Sequence, residues 1–335
     1  MRQSNFELLR LLSMLMILGL HANFLALGNV DASVVHNLGV QDFVRTFLEC
    51  LCIVGVNVFV LISGWFGIKP SVKGIFSIVF QVAFYTVLLI LVTLAAGVPL
   101  PANFHKTIVF PDAGYWFISA YLMLYILSSA LNRFAEQTPA KVFRTVLICF
   151  FVVEVLWGYF SDSIRVRGGY HVLSFIGLYL LARYLRLYPS RLTALKSWQS
   201  LLLFFLCVGI STVFYFAKWL PSTIAYTAPS VILASVFLLL AFSKMTFTSK
   251  AVNWCAASAF AIYLVHCNVL ALGTYTSCMS RLCSLTGFWL YVVVAPLVMV
   301  AFGLCCICVD KLRGLLWNLL CRIPLLNKFF SISLG

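Results

Sequence analysis

The amino-acid sequence predicts an all-α, polytopic membrane helix bundle of about ten transmembrane helices, with both termini cytoplasmic. Three observations predict it. Of 335 residues, 63% are hydrophobic and only 10% charged, and the mean hydropathy is +1.05; soluble domains carry about 45–50% apolar and about 25% charged residues. The apolar residues fall in repeated runs near the roughly 20 residues that a helix needs to cross a bilayer. The basic residues gather in alternate loops between those runs. A water-soluble globular protein and a disordered chain are both excluded. Residues 1–335 read as a single integral-membrane domain.

The ten expected spans cover 6–28, 46–68, 75–97, 114–131, 142–160, 169–187, 198–217, 225–243, 254–272 and 287–310. The first lies in MRQSNFELLRLLSMLMILGLHANFLALG. Its apolar part is too long for a signal peptide and has no small-residue cleavage site, so it reads as a permanent span. Pro99, Pro101, Pro111, Pro139, Pro189 and Pro221 lie between spans, where helix breakers belong. Pro296, inside the last span, is expected to kink it. Sorted by alternate loops, seventeen of the 23 Lys and Arg side chains fall on one face. The other six (Arg45, Lys106, Arg165, Arg167, Lys218 and Arg281) fall on the opposite face. The richer face is cytoplasmic by the positive-inside rule, which places both termini inside.

A net charge of +14 on a soluble protein would suggest nucleic acid. Here no compact basic patch is interleaved with exposed aromatics, so nucleic acid is not an expected partner. Most of the twelve cysteines sit inside apolar runs, where cysteine acts as a small hydrophobe. Cys305-Cys306-x-Cys308 has no second cluster or flanking histidine at zinc-site spacing, so no metal is expected. Cys278 and Cys283 fall in a stretch read as an external loop, near enough in sequence to pair.

An ionisable group at membrane depth is a functional hypothesis by default, and four places carry one. Arg10 and His21 lie eleven residues apart on helix 1, which puts them on one face, separated by roughly 16 Å along the axis. Histidine titrates near neutral pH and can act as a general base on a hydroxyl. The bland alternative is an arginine that snorkels to the interface and a histidine that bridges helices. Lys69-Pro70-Ser71-Val72-Lys73 reads either as a positive-inside loop or as a phosphate-capture site. The run from Asp112 through Trp116 and Tyr121 to Tyr125 reads as an aromatic belt, or as a platform for sugar rings. Glu154, within FFVVEVLWG, is costly unless paired or protonated, with His171 or Arg167 as candidate partners. His266, in AIYLVHCNVL, reads as a satisfied structural histidine or as part of a substrate site. No nucleophile elbow, P-loop or HExxH motif is present, so the expected chemistry is direct general-base transfer.

Five pieces in order resemble the integral-membrane acyltransferase-3 family of bacterial O-acetyltransferases. They are FELLRLLSMLMILGLH at 6–21, FVLISGWF at 59–66, YWFISAYLMLYILSSALN at 115–132, GLYLLARYLRLY at 177–188 and SAFAIYLVHCNVL at 258–270. The resemblance spans essentially the whole chain. It implies acetyl transfer from cytoplasmic acetyl-CoA to a hydroxyl of an envelope polysaccharide or lipid-linked sugar, in the bacterial cytoplasmic membrane. It carries the acyl-transfer role onto His21 and a supporting role onto Arg10. Where relatives often show arginines after the second span, this chain has Lys69 and Lys73, which supply charge for the coenzyme phosphates but no bidentate fork. Trp116, Tyr121, Glu154 and His266 are the expected acceptor-side residues. Two rival readings are a transporter or flippase using Arg10, Glu154 and the histidines as a path, and a structural subunit of a glycan-export complex.

Overall fold

A computed structural model describes residues 3–31, 39–101, 115–161, 163–218, 223–324, 326 and 330. Among the described residues the chain is all-helical. Helix α1 (Ser4–Leu20) runs directly into a π-helical turn, His21–Leu25. Then follow α2 (Val40–Cys52), α3 (Val54–Phe66), α4 (Val72–Ala95), α5 (Trp116–Gln137), α6 (Ala140–Phe160) and the short α7 (Ile164–Gly168). Helices α8 (Val172–Leu187), α9 (Ser197–Ala217), α10 (Pro229–Ser243) and α11 (Lys250–Ala256) come next. The last three are α12 (Ala259–His266), α13 (Leu272–Thr286) and α14 (Phe288–Leu320). Among the described residues, seven stretches are long and apolar enough to cross a membrane, counting α1 with its π turn and α2 with α3 as one stretch each.

The expected polytopic bundle is borne out, and each expected span coincides with helix. The ninth differs in detail. Residues 254–272 do not form one rod: α11 and α12 are separated at Ala257–Ser258, and α12 stops at His266. The stop is local. Asn268 Oδ1 accepts the Leu270 N–H at 3.0 Å, and Asn268 Nδ2 donates to the Tyr115 hydroxyl at 2.7 Å, so a polar side chain takes over where the helical ladder ends. The stretch beyond, expected as a loop, is helix α13, and Cys278 and Cys283 on it are free thiols, not a disulfide. Pro296 is accommodated within the uninterrupted α14. Asp112 lies outside the described residues.

Burial is inverted relative to a soluble protein. Leu91 on α4, Val153 on α6 and Leu297 on α14 are 59%, 62% and 66% exposed, as a lipid-facing shell requires. Helices α3 and α10 are buried along nearly their whole length. Lipid is as apolar as leucine, so close backbone approach and polar contacts, not hydrophobic burial, must hold such helices together. Gly64 shows how. A Cβ there would overlap the Tyr179 carbonyl oxygen and meet Ala182 Cβ at 2.9 Å, so α3 and α8 cross at a contact only glycine permits. Asn57 Nδ2 donates to the Tyr226 carbonyl at 2.9 Å. On α14, Arg313 is paired with Asp310 at 2.6 Å, and the Tyr85 hydroxyl of α4 donates to the same carboxylate at 3.0 Å.

Candidate active site

The five sequence pieces gather into two poles of the bundle. At the first, the loop after α3 is pinned from α5 and α8. The Ile68 N–H donates to the Tyr179 hydroxyl, which donates to Asn132 Oδ1, and Asn132 Nδ2 donates to the Ile68 carbonyl, all at 2.8 Å. The Ser71 N–H reaches the Tyr125 hydroxyl at 3.3 Å. Around this closed ring stand Arg183, paired with Glu136 at 2.8 Å, and Arg186, whose guanidinium lies 5.3 Å from the Trp65 ring. Lys69, in the same loop, and Lys73, on the first turn of α4, are solvent-exposed. Arg183 and Arg186 thus join the two expected lysines; their spacing on GLYLLARYLRLY was the readable signal.

The second pole is built on the π turn. A π turn is rare and usually a single turn within an α-helix, frequently at a functional site. Here its backbone is held by side chains of other helices. The Leu18 carbonyl accepts the Tyr275 hydroxyl of α13 at 3.0 Å, and the Ala22 carbonyl accepts the Tyr291 hydroxyl of α14 at 2.6 Å. On the opposite side the Glu49 carboxylate of α2 accepts the Phe24 N–H at 3.3 Å and the Asn23 amide at 2.8 Å. Arg45 closes the network onto the Gly28 carbonyl. Glu49, Arg45 and Asn23 are all buried. Glu49 was missed in the sequence, although a carboxylate in the middle of an apolar span is itself the signal.

This framework presents His21 at the first position of the turn. Its ring centroid lies 5.2 Å from that of His266, which is fully buried at the end of α12. Cys267 sits between them, its Sγ 3.2 Å from His266 Nε2 and 3.8 Å from His21 Nδ1. His266 Nδ1 is 2.6 Å from the Ile262 carbonyl oxygen. The ligating atoms of the three residues all lie within 4.8 Å of one another, so together they could also hold one thiophilic ion. Cys267 was missed because a cysteine in an apolar run reads as a small hydrophobe.

The remaining expected residues are placed as follows. Arg10 pairs with Glu7 at 3.0 Å on its own helix; eleven residues at α-helical rise keep it roughly 16 Å from His21. The Tyr121 hydroxyl meets Ser63 Oγ at 3.2 Å, and its ring stacks on Phe117 at 5.6 Å. Trp116 packs edge-on to Tyr170 at 4.8 Å and lies 5.6 Å from Tyr226. Rings continue from Phe117 through Tyr263 to His266, at 5.3 and 6.1 Å. Glu154 is buried near Ser174 of α8, and its Oε1 has no partner. Ser174 meets His171 Nε2 at 3.4 Å, so the expected His171 partner lies beside the same serine.

Just beyond His21, where the π turn ends, a cavity of about 410 Å³ opens between Leu25 and α13. Ser277, Ser280, Ser284 and Arg281 line its α13 side. A histidine pair, His266 fully buried and His21 half-buried, therefore stands between a basic pole and a hydroxyl-lined cavity.

Fold and site together define a multi-pass membrane protein with a largely buried histidine–cysteine cluster between its helices. Residues 3–309 match the model of the acyltransferase-3 family, described as an acyltransferase domain. The chain belongs to this family and is an acyltransferase of it, which does not favour the transporter reading. No curated protein and no solved structure matches the chain.

Proposed function

We propose that this acyltransferase moves an acetyl group from acetyl-CoA to a hydroxyl of an envelope polysaccharide or lipid-linked sugar, in the bacterial cytoplasmic membrane. The observation that carries the reading is the position of His21, held by other helices between a basic pole and a hydroxyl-lined cavity. The excess of basic side chains assigns the Lys69 pole to the cytoplasm. There Lys69 and Lys73, with Arg183 and Arg186, meet the coenzyme phosphates. The pantetheine arm runs beside α1 past Arg10, over a distance of roughly 16 Å that suits it. The acceptor arrives through the cavity beyond Leu25, whose serines match sugar hydroxyls. Trp116 and Tyr121 add aromatic surface along the route, and His266 fixes the His21 side of the cluster. Glu154, facing α8, stands apart from this route and is not assigned a role in it.

His21 then takes the proton of the acceptor hydroxyl as the oxygen attacks the acetyl carbonyl. A dry site favours this step, because an unprotonated imidazole is the form that acts as a base. The test uses the full chain in detergent with radiolabelled acetyl-CoA and a cell-envelope glycan extract. Wild type should be thermally stabilised by acetyl-CoA and release coenzyme A in steady state. His21→Ala should keep the stabilisation and lose turnover by about 10²-fold or more. Full turnover in His21→Ala, or no stabilisation of the wild type, would overturn the reading.

A further inference from the structure

The Ile262 carbonyl can only accept, so the 2.6 Å contact makes His266 Nδ1 the donor. The neutral ring then carries its lone pair on Nε2, which faces Cys267 Sγ at 3.2 Å. A thiol, a base within reach of it, and a third group that fixes the base's tautomer are the parts of an activated nucleophile. His21 Nδ1 stands 3.8 Å from the same sulfur on its other side. One sulfur thus has two imidazoles, one on the helix that ends there and one on the turn that faces the cavity. Direct transfer uses only one of them. We propose that Cys267 carries the acetyl group as a thioester, with His266 serving the loading step and His21 the unloading step.

The inference rests on the acyl-transfer reading above and specifies its route. In loading, the Cys267 thiol proton passes to His266 Nε2 and the sulfur attacks the acetyl carbonyl carbon of acetyl-CoA. The carbon–sulfur bond to the coenzyme breaks, and the departing thiolate takes the proton back from His266. One thioester replaces another, so no oxidant, reductant or metal is needed. In unloading, His21 Nε2 takes the proton of the acceptor hydroxyl, and the oxygen attacks the acetyl carbon on Cys267. The bond to Sγ breaks, and the Nδ1 proton of His21 passes to the sulfur. His266 and the thiol end as they began; His21 ends neutral with its proton on Nε2 and returns to the Nδ1–H tautomer by proton exchange with water before the next turnover. The route also answers a geometric need. The coenzyme comes from one pole and the acceptor from the other, and a loaded cysteine lets them visit in turn.

The experiment is a burst assay on the full chain in detergent with acetyl-CoA and no acceptor. A covalent route releases about one coenzyme A per protein before stalling; direct transfer releases none. Wild type should show the burst, with an acetyl group on the peptide containing Cys267 that neutral hydroxylamine removes. His21→Ala should show the same burst and keep the adduct, because only unloading is lost. Cys267→Ala and Cys267→Ser should give no hydroxylamine-labile adduct, and Cys149→Ala, an exposed thiol on α6, should behave as wild type. Absence of an adduct on Cys267 in His21→Ala, which needs no change at the cysteine, would overturn the inference, as would wild-type steady-state transfer by Cys267→Ala. If acetyl-CoA still stabilises the protein in that event, the proposed function stands and transfer is direct. If acetyl-CoA neither stabilises the protein nor yields coenzyme A, both fail together.

Discussion

The two poles of this bundle are built from opposite materials. At the Lys69 pole the backbone loop is pinned by neutral hydrogen bonds from Tyr179, Asn132 and Tyr125; Lys69, Lys73 and Arg186 are exposed to solvent, and only Arg183 is buried, against Glu136. At the His21 pole Glu49 and Arg45 are both buried and brace a distorted helix, beside two imidazoles and a thiol. On the function proposed above, the difference follows from what each pole would handle. A polyanionic nucleotide is held well by exposed cations, since it brings its own water-soluble charge. Proton transfer to a hydroxyl needs a fixed, unhydrated base, and buried hydrogen bonds supply the rigidity. The acyltransferase therefore concentrates its polar cost where the chemistry is and keeps the binding end cheap to rearrange.

The comparison is broken most severely at Glu49. Replacing it with alanine strands the Phe24 N–H and one proton of the Asn23 amide. Each buried donor left without a partner costs about 1–3 kcal/mol, so Glu49→Ala should unfold well below wild type in a thermal scan. Its surviving folded fraction should also lose kcat, because the π turn that aims His21 is no longer held. Glu49→Gln keeps an acceptor for both N–H groups and should recover most of the stability. The same alanine scan at Asp310, whose partners are Arg313 and Tyr85 and none of the residues of either pole, should cost stability without lowering kcat per folded molecule. Equal kcat in Glu49→Ala and wild type would show that the brace is structural only.

Gly64 tests the other pole. A methyl group there must push the Tyr179 carbonyl aside, and overpacking at a fixed contact costs about 1–3 kcal/mol. Gly64→Ala should therefore lower the thermal midpoint and raise KM for acetyl-CoA, since Tyr179 also positions the Ile68 loop, while kcat changes little. A Gly64→Ala protein with wild-type stability and KM would mean that α3 and α8 do not cross at the contact described.

The contrast between poles also explains what the sequence revealed and what it concealed. The helices were legible because a bilayer forces every backbone group into its own helix and every span to a similar apolar length. His21 and Arg10 were legible as polar side chains on one face of a span. The partnership of His21 with His266 was not, since 245 residues separate them and only the packing of α1 against α12 joins them. Nor was the π turn, because no residue in HANFL demands one; it exists through Glu49, Tyr275 and Tyr291 on three other helices. Helix α13 hid for a different reason. Its serines and threonines read as loop, yet Tyr275 and Met279 are buried one turn apart, a helical spacing with the polar face left for the cavity.

The smallest expected effect lies at the exposed lysines, and it sharpens the comparison in both directions. Solvated ion pairs contribute about 0.5 kcal/mol each, so the double variant Lys69→Ala, Lys73→Ala should raise KM for acetyl-CoA by roughly fivefold at low ionic strength. The difference should fade as salt approaches physiological levels, where the screening length is about 8 Å, and kcat should hold because His21 and Cys267 are untouched. Arginine at both positions supplies the bidentate fork that lysine lacks, so Lys69→Arg with Lys73→Arg should lower KM below wild type. A salt-independent loss, or a fall in kcat, would mean that these lysines act on the loop's conformation and that the Lys69 pole is as rigidly coupled to the chemistry as the His21 pole.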